Sequence, residues 1–334
     1  MDEQRLVEWL ESASIAVSPP LTLTLIAGGR SNLTYRVDDS AGRSYVLRRP
    51  PTGGVLQSAH DMGREHRIIS ALADTPVPVP TTFGHCEDLD VIGAPFYVMN
   101  LVPGVVVTTD SDGGAYPRPA RAAASAELID VLARIHLLDL DAIGLNTLAR
   151  RGQYLQRQLK RWHHQFHAST GRDLPMVDEV HRRLSRTIPV QRFTGLVHGD
   201  YRPGNLLLAP DGRVNAVLDW ELATLGDTMA DLGWLLATWR EPGEVELLES
   251  PTAHPGFLRR DELVELYARA TGRAVDGLDY YLAFALWRLT CISEGIYQRY
   301  QTGAMGDDGF DVEWQREQVS VLAAAALHAL DRAG

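Results

Sequence analysis

Cysteine is scarce in this chain, and the scarcity argues against folds held together by disulfide bonds or zinc clusters. Only Cys86 and Cys291 occur among the 334 residues, and neither has a partner at metal-ligand spacing. A disulfide framework and a cysteine zinc cluster are therefore not expected. Few cysteines also fit a reducing compartment, so the expected location is the cytoplasm.

Long apolar runs are missing as well. No stretch approaches the roughly 18 apolar residues that a helix needs to cross a bilayer. The first residues include Glu3, Glu8 and Glu11 instead of a basic start followed by an apolar run, so they do not resemble a secretory signal. We therefore expect no membrane partner.

Positive charge is in deficit, with 32 Lys and Arg residues against 43 Asp and Glu residues and a formal net charge of -11. A phosphate backbone rewards clustered positive charge, so the composition disfavours general nucleic-acid binding. What the chain does have is 45% hydrophobic content over 334 residues. That content can bury a sizeable core and favours two lobes or domains.

Alternating apolar residues in the first hundred positions predict a five-stranded, mostly antiparallel sheet with one helix. Strands are expected at 21–25, 35–37, 45–48, 82–85 and 96–99. From 58 to 73 the apolar spacing is helical, with Glu65 near the middle. A linker begins after Val102, so we expect an N-terminal lobe over 1–102 and a C-terminal lobe over 103–334.

Helical periodicity dominates the second lobe. Helices are expected at roughly 121–138, 150–168, 175–187, 228–240, 261–271, 277–300 and 313–332. Only 196–220 interrupts this pattern, with a short strand, a loop and a hairpin that turns at Pro210-Asp211-Gly212. The fold class is therefore α+β, with a small sheet lobe and a larger helical lobe.

The most specific motif lies in this non-helical stretch. It contains His198-Gly199-Asp200, then Asn205, and Asp219 closes the following hairpin. Phosphoryl transfer depends on positioning and charge neutralisation more than on covalent help. One carboxylate must accept a hydroxyl proton, while an amide oxygen and a second carboxylate can hold magnesium, which prefers oxygen ligands.

The run from His198 to Asn205, with Asp219 downstream, resembles the catalytic loop and metal-binding aspartate of aminoglycoside phosphotransferases and choline kinases, relatives of the protein kinases. The resemblance implies a protein-kinase-like two-lobe fold with ATP between the lobes. It implies that Asp200 is the catalytic base and that Asn205 and Asp219 bind Mg²⁺. An Asx-rich turn between strands is the alternative interpretation.

The same resemblance assigns the nucleotide contacts. The strand ending at Arg48 aligns with the family strand whose last residue, usually lysine, contacts the phosphates and assists catalysis; Glu65 would be its ion-pair partner. The Gly-rich turn at 28–32 lacks the protein-kinase G-x-G-x-x-G pattern, and an ordinary hairpin loop is the alternative interpretation. The implied cofactor-binding residues are Gly28, Gly29, Arg30, Ser31 and Asn32 in that turn, Arg48, Glu65, and Met99, Asn100, Leu101 and Val102 in the adenine-binding hinge.

A basic helix is a candidate acceptor site. Six Lys or Arg residues and no acid occur between 150 and 172. Tyr154, Arg157 and Arg161 would share one helix face, where they could bind an anionic acceptor or simply be solvated. His163 and His167 are one turn apart, the spacing of a metal pair, but no third ligand is evident.

The basic helix and two later segments, at 285–288 and 294–299, resemble phosphotransferase domains fused to acyl-CoA dehydrogenases. That branch implies a hydroxylated acyl thioester as the acceptor and a link to acyl-CoA metabolism. The absence of an A-P-E signature after Asp219 favours a small-molecule acceptor over a protein. An aminoglycoside-modifying kinase and a non-catalytic nucleotide-binding regulator are the alternatives.

Overall fold

The computed structural model describes residues 2–27, 32–51, 61–149, 152–304 and 309–333. Its N-terminal part contains the five-stranded antiparallel sheet that the alternating pattern predicts, in the order β1-β2-β3-β5-β4. The strands are β1 (Thr22–Ala27), β2 (Leu33–Asp38), β3 (Ser44–Arg49), β4 (Thr82–Cys86) and β5 (Phe96–Asn100).

The two faces of this sheet pack against different partners, because side chains alternate along each strand. Leu47 and Val98 join a core with Leu6 of α1 (Glu3–Ser12). Val46 and Met99 join the second core, which also contains the apolar face of α2 (Met62–Leu72). The side chain of Asp61 caps α2, while the predicted helical positions 58–60 lie outside the described residues. Helix α3 (Leu89–Ile92) joins β4 to β5.

The C-terminal part is mostly helical, as the periodicity predicts. Its helices are α4 (Asp110–Ala115), α5 (Arg121–His136), α6 (Tyr154–Ser169), α7 (Pro175–Arg186), α8 (Met229–Thr238), α9 (Arg260–Thr271), α10 (Leu278–Gln301) and α11 (Val312–Ala333). The sequence pattern missed α4, a short helix with two glycines that begins with a Thr109 capping box. None of the helices in the described ranges is long and apolar enough to cross a membrane.

Four short strands carry the non-helical stretch of this lobe. β6 (Thr194–Val197) pairs with β9 (Thr224–Asp227), and β7 (Leu206–Leu208) pairs with β8 (Val214–Val217). The β7–β8 hairpin is the predicted one, and Gly212 adopts the left-handed conformation at its turn, with φ 98°. The polar residues of the motif therefore lie next to the buried ends of these strands: His198 follows β6, Asn205 precedes β7, and Asp219 comes two residues after β8.

Candidate active site

A cleft between the sheet and the β7–β8 hairpin forms a cavity of about 290 Å³. Its apolar lining includes Val46, Ile69 and Leu207, and Arg48 and Asp219 line the same cavity. The four predicted hinge residues, Met99, Asn100, Leu101 and Val102, all line it. An apolar slot that also contains a cation and a carboxylate is suited to a flat base with an attached phosphate chain.

Arg48 is the centre of an ion-pair network in this cleft. Its Nε donates to Glu65 Oε2 at 3.1 Å, and its Nη2 donates to Asp219 Oδ1. Nη2 also lies 3.8 Å from Glu221 Oε2, an acid to which the sequence analysis gave no role. The predicted Arg48 and Glu65 pair is present, and the same guanidinium contacts the proposed metal ligand Asp219.

The network is largely shielded from water. The side chain of Arg48 is 12% exposed and that of Glu65 is 1% exposed. Burial lowers the pKa of Arg48, but the attraction of Glu65 and the neighbouring acids outweighs this effect and raises that pKa above its ordinary value. Burial raises the pKa of Glu65 against the opposing attraction of Arg48. Arg48 therefore remains a permanent cation at this end of the cleft.

The predicted phosphate-covering turn is described only at its last residue. Gly28, Gly29, Arg30 and Ser31 lie outside the described residues. The side chain of Asn32 is buried, and its Nδ2 donates to Glu221 Oε2 at 3.0 Å. Within the described part of the chain, Asn32 Oδ1 has no hydrogen-bond partner. The end of the turn is thus attached to the loop that follows Asp219.

Asp200 is held in place through both of its carboxylate oxygens. The indole N–H of Trp234 donates to Oδ1 at 2.7 Å, and Asn205 Nδ2 donates to Oδ2 at 2.8 Å. Arg202 Nε lies 3.4 Å from Oδ1. These contacts fix the direction of the carboxylate at the mouth of a second cavity, which Asp200 lines. A carboxylate held in this way has the fixed orientation that the predicted base requires.

Asn205 and Asp219 offer the oxygens that the predicted metal site needs. Because Asn205 donates its amide hydrogens to Asp200, its Oδ1 remains as the acceptor end, and no hydrogen bond to Oδ1 occurs among the described residues. The N–H of Leu218 donates to the carbonyl of Asn205 at 2.8 Å, which joins the two segments. Asp219 is in the left-handed region, with φ 64°. Amide and carboxylate oxygens fit Mg²⁺.

A buried carboxylate on α8 supports the catalytic loop. Asp231 accepts hydrogen bonds from the main-chain N–H groups of His198 at 2.6 Å and Gly199 at 2.9 Å, and His136 Nε2 lies 3.3 Å away. Burial raises the pKa of Asp231, but these hydrogen bonds and the nearby histidines lower it below its ordinary value overall. His198 in turn accepts the N–H of Asp200 at Nδ1 and donates from Nε2 to Leu218.

The cavity at Asp200 measures about 380 Å³ and lies between the catalytic loop, α8, α10 and α11. Its walls are largely apolar, with Leu289 and Ile292 from α10 and Trp314 from α11. Arg288 also lines it, although its side chain is only 6% exposed. The sequence does not single out Arg288 as a site residue, because nothing in a helical pattern distinguishes an arginine that lines a cavity from one that is solvated.

Arg288 forms no salt bridge within the described ranges, although the carboxylates of Asp200 and Asp231 lie near enough to attract it. Its guanidinium carbon lies 4.1 Å from the ring centre of Trp234 and 5.1 Å from that of Trp162. Its Nε is buried and has no hydrogen bond to any of the described residues. Burial lowers the pKa of Arg288, although an arginine stays charged at any physiological pH. A buried cation between two aromatic faces thus lines the same cavity as the proposed base Asp200 without a direct salt bridge to it.

The three predicted acceptor residues belong to α6 and lie outside the lining of the cavity at Asp200. Tyr154 is buried and packs against Gly226. Arg157 donates to the carbonyl of Gly152, and Arg161 is exposed beside Trp162. None of the three is among the described residues that line the cavity at Asp200. Their role in binding an acceptor remains a prediction, whereas Trp162 reaches that region through Arg288.

Comparison with known families matches residues 22–275 to the phosphotransferase enzyme family. The mouse protein acyl-CoA dehydrogenase family member 10 is 37% identical over 290 residues, which cover 85% of this chain and 27% of that protein. The chicken acyl-CoA dehydrogenase family member 11 is 33% identical over 297 residues, which cover 85% of this chain and 37% of that protein. The chain thus spans about a third of the length of these curated relatives.

Solved structures give the same result for the fold. A protein of Ralstonia eutropha, provisionally described as an aminoglycoside phosphotransferase, is 32% identical with a TM-score of 0.84, and the match covers 99% of this chain and 98% of that one. Aminoglycoside phosphotransferase APH(4)-Ia, in a ternary complex with ADP and hygromycin B, is 17% identical with a TM-score of 0.63, covering 97% and 98% of the two chains. The second match bears on the fold alone.

Proposed function

Because this chain belongs to the phosphotransferase enzyme family, we propose that it transfers the γ-phosphoryl group of ATP, with Mg²⁺, to a hydroxyl of a small anionic molecule of the hydroxyacyl type. In this reaction the hydroxyl oxygen forms a bond to the γ-phosphorus while the bond from that phosphorus to the β-bridging oxygen breaks. The hydroxyl proton passes to Asp200, and ADP leaves.

The nucleotide half of the proposal rests on the apolar cleft and its polar end. Leu101, Val102 and their neighbours would enclose the base, while Arg48 would contact the phosphates. Asn205 Oδ1 and the carboxylate of Asp219 would hold Mg²⁺, which when bound neutralises phosphate charge. The oxygen ligand set, together with the amide orientation fixed by Asp200, supports this assignment.

The anionic character of the acceptor rests on one observation, the buried Arg288 guanidinium, whose Nε has no hydrogen bond among the described residues. A buried cation without a direct salt bridge is costly, and a ligand that brings an anion reduces that cost. A carboxylate or a phosphate fits the guanidinium fork, whereas a polycationic aminoglycoside would place like charges together. The Arg288 cation therefore favours a hydroxy acid or a related anion over an aminoglycoside antibiotic as the acceptor.

The acyl character of the acceptor rests on the cavity wall and on the relatives. Leu289, Ile292 and Trp314 provide an apolar surface that suits a short acyl chain. The curated relatives are named as acyl-CoA dehydrogenases, and this chain matches about a third of their length. A phosphotransferase unit joined to such a protein would act on a related hydroxylated acyl compound.

The first experiment measures the transfer of label from γ-phosphate-labelled ATP to a panel of hydroxyacyl-CoA thioesters, free hydroxy acids, aminoglycosides, choline and sugars. We expect label in the hydroxyacyl class alone. Asp200→Asn should keep nucleotide binding and lose turnover, and Asp219→Ala should lose binding of the Mg²⁺-nucleotide pair. Transfer to aminoglycosides alone would overturn the acceptor assignment, and normal turnover by Asp200→Asn would overturn the base assignment.

The role of Arg288 can be tested separately with Arg288→Gln. We expect KM for the anionic acceptor to rise at least tenfold while KM for ATP stays unchanged, because the loss of a charged hydrogen-bond partner costs about 1.5–3 kcal/mol. Arg269→Gln removes one exposed positive charge from α9 and serves as the matched control. Nucleotide binding without transfer to any acceptor would favour a regulatory protein.

A further inference from the structure

Two histidines on α6 and an aspartate on α7 meet outside the catalytic cleft. Asp178 Oδ1 lies 2.9 Å from His163 Nε2 and 2.8 Å from His167 Nε2. The two Nε2 atoms are themselves 3.1 Å apart. The three ligand-type atoms therefore form a nearly equilateral triangle across the pair of helices.

Hydrogen bonds cannot satisfy all three sides of this triangle. If both Nε2 atoms carry hydrogens, both can donate to Asp178, but then two N–H groups face each other at 3.1 Å. If one Nε2 is unprotonated, it can accept from the other histidine, but it then faces the carboxylate oxygen of Asp178 as a second acceptor. With Asp178 ionised, as at neutral pH, each of these arrangements leaves one of the three close contacts unfavourable.

We propose that His163, His167 and Asp178 bind a divalent transition-metal ion, with Zn²⁺ as the best match. A cation at the centre of the triangle attracts all three lone pairs at once. Bonds of about 2.0–2.1 Å in a tetrahedral complex separate neighbouring ligand atoms by roughly 3.3 Å, close to the three separations here. Imidazole ligands favour Zn²⁺ and its neighbours in the series over Mg²⁺ and Ca²⁺.

The surroundings leave the fourth coordination position to solvent. The side chains of His163, His167 and Asp178 are 30%, 46% and 48% exposed, so an ion can reach them. The ring of His181 stacks on that of His163, with the ring centres 3.8 Å apart and the planes inclined by 13°, and supports its orientation. The site is distinct from Asn205 and Asp219, and an ion bound there would join α6 to α7.

The test is a calorimetric titration of the nucleotide-free chain with Zn²⁺ alone at neutral pH, followed by thermal unfolding with and without Zn²⁺. The unaltered chain should bind one ion per chain at this site and unfold at a higher temperature when it is loaded. His167→Ala should weaken that binding at least tenfold and abolish the thermal shift. Because His167 is 46% exposed, this variant should fold normally without metal.

Two controls separate this site from other metal binding. His164→Ala removes an exposed histidine of the same helix, which lines a surface cavity together with His163 and His167 but lies outside the proposed ligand triangle. This variant should bind Zn²⁺ like the unaltered chain. Asp219→Ala should also keep the Zn²⁺ site. Asp178→Asn provides a second ligand variant. Equal binding by the unaltered chain and His167→Ala, equal losses in His164→Ala and His167→Ala, or no binding to the unaltered chain would overturn the proposal.

Discussion

Arg48→Met removes the cation of the cleft while keeping an unbranched apolar side chain in its place. Three ion pairs disappear, those with Glu65, Asp219 and Glu221, and they differ in environment. The carboxylate of Glu65 is 1% exposed, so in the variant it becomes a buried charge without a cationic partner, whereas Asp219 is 26% exposed and is partly solvated. The cost should therefore arise mainly at Glu65.

Removing one partner of a buried pair costs about 3–5 kcal/mol of the free energy of unfolding. The entropy of unfolding is about 2.1 cal/mol/K per residue, or roughly 0.7 kcal/mol/K for 334 residues. The midpoint of thermal unfolding should then fall by roughly 4–7 °C. Circular dichroism without nucleotide measures this change, and urea unfolding gives the free energy independently.

The double variant Arg48→Met, Glu65→Gln tests the reasoning, because it leaves no buried charge. It should be more stable than the single variant at neutral pH. In the single variant, burial without Arg48 raises the folded-state pKa of Glu65 further above the unfolded value of about 4.3. The folded state then binds the extra proton, so the stability deficit should shrink as pH falls towards that value. Equal stability of both variants at neutral pH would refute the argument.

Trp234→Phe removes the indole N–H that donates to Asp200, so kcat should fall about 10–100-fold while KM for ATP stays constant. An unchanged kcat in steady-state assays would contradict this prediction. Gly226→Ala places a Cβ against the ring of Tyr154 and should lower the free energy of unfolding, measured with urea, by about 1–3 kcal/mol. An unchanged free energy would show that the ring can move. Burial lowers the folded-state pKa of His136, so the free energy of unfolding should decline as pH drops below about 6.5. His136→Gln should make that decline shallower when unfolding is measured as a function of pH.

Local patterns in the sequence predict the elements well, because one side of nearly every strand and helix is buried. Alternation predicts β3 and β5, and Leu47 and Val98 do belong to one core. Helical spacing predicts α2, whose Ile68 and Ile69 are buried. The pattern misses β9, since Thr224–Asp227 is a short strand directly after the hairpin and contains a glycine.

Contacts between distant segments could not be predicted in the same way. Trp234 binds Asp200 from a helix that begins after β9, and Asp178 joins His163 and His167 from the next helix. Each of these side chains is unremarkable in its own segment, and only the packing of α6, α7, α8 and α10 brings it to its partner. The sequence motif therefore predicts which groups carry the chemistry, while the tertiary structure shows which groups orient them.

The arginine at position 48, where the family resemblance implies a lysine, is explained by the acids around it. A lysine ammonium is one point charge, whereas the guanidinium uses Nε for Glu65 and Nη2 for Asp219 at the same time. Glu221 adds a third acid 3.8 Å from Nη2, and Asn32 donates to that acid from the end of the Gly-rich turn. An arginine can face all three acids from one position. Arg48 therefore suits a site that contains Glu221 in addition to Glu65 and Asp219. A lysine at position 48 would satisfy fewer of these carboxylates, and the substitution is therefore not conservative in this site.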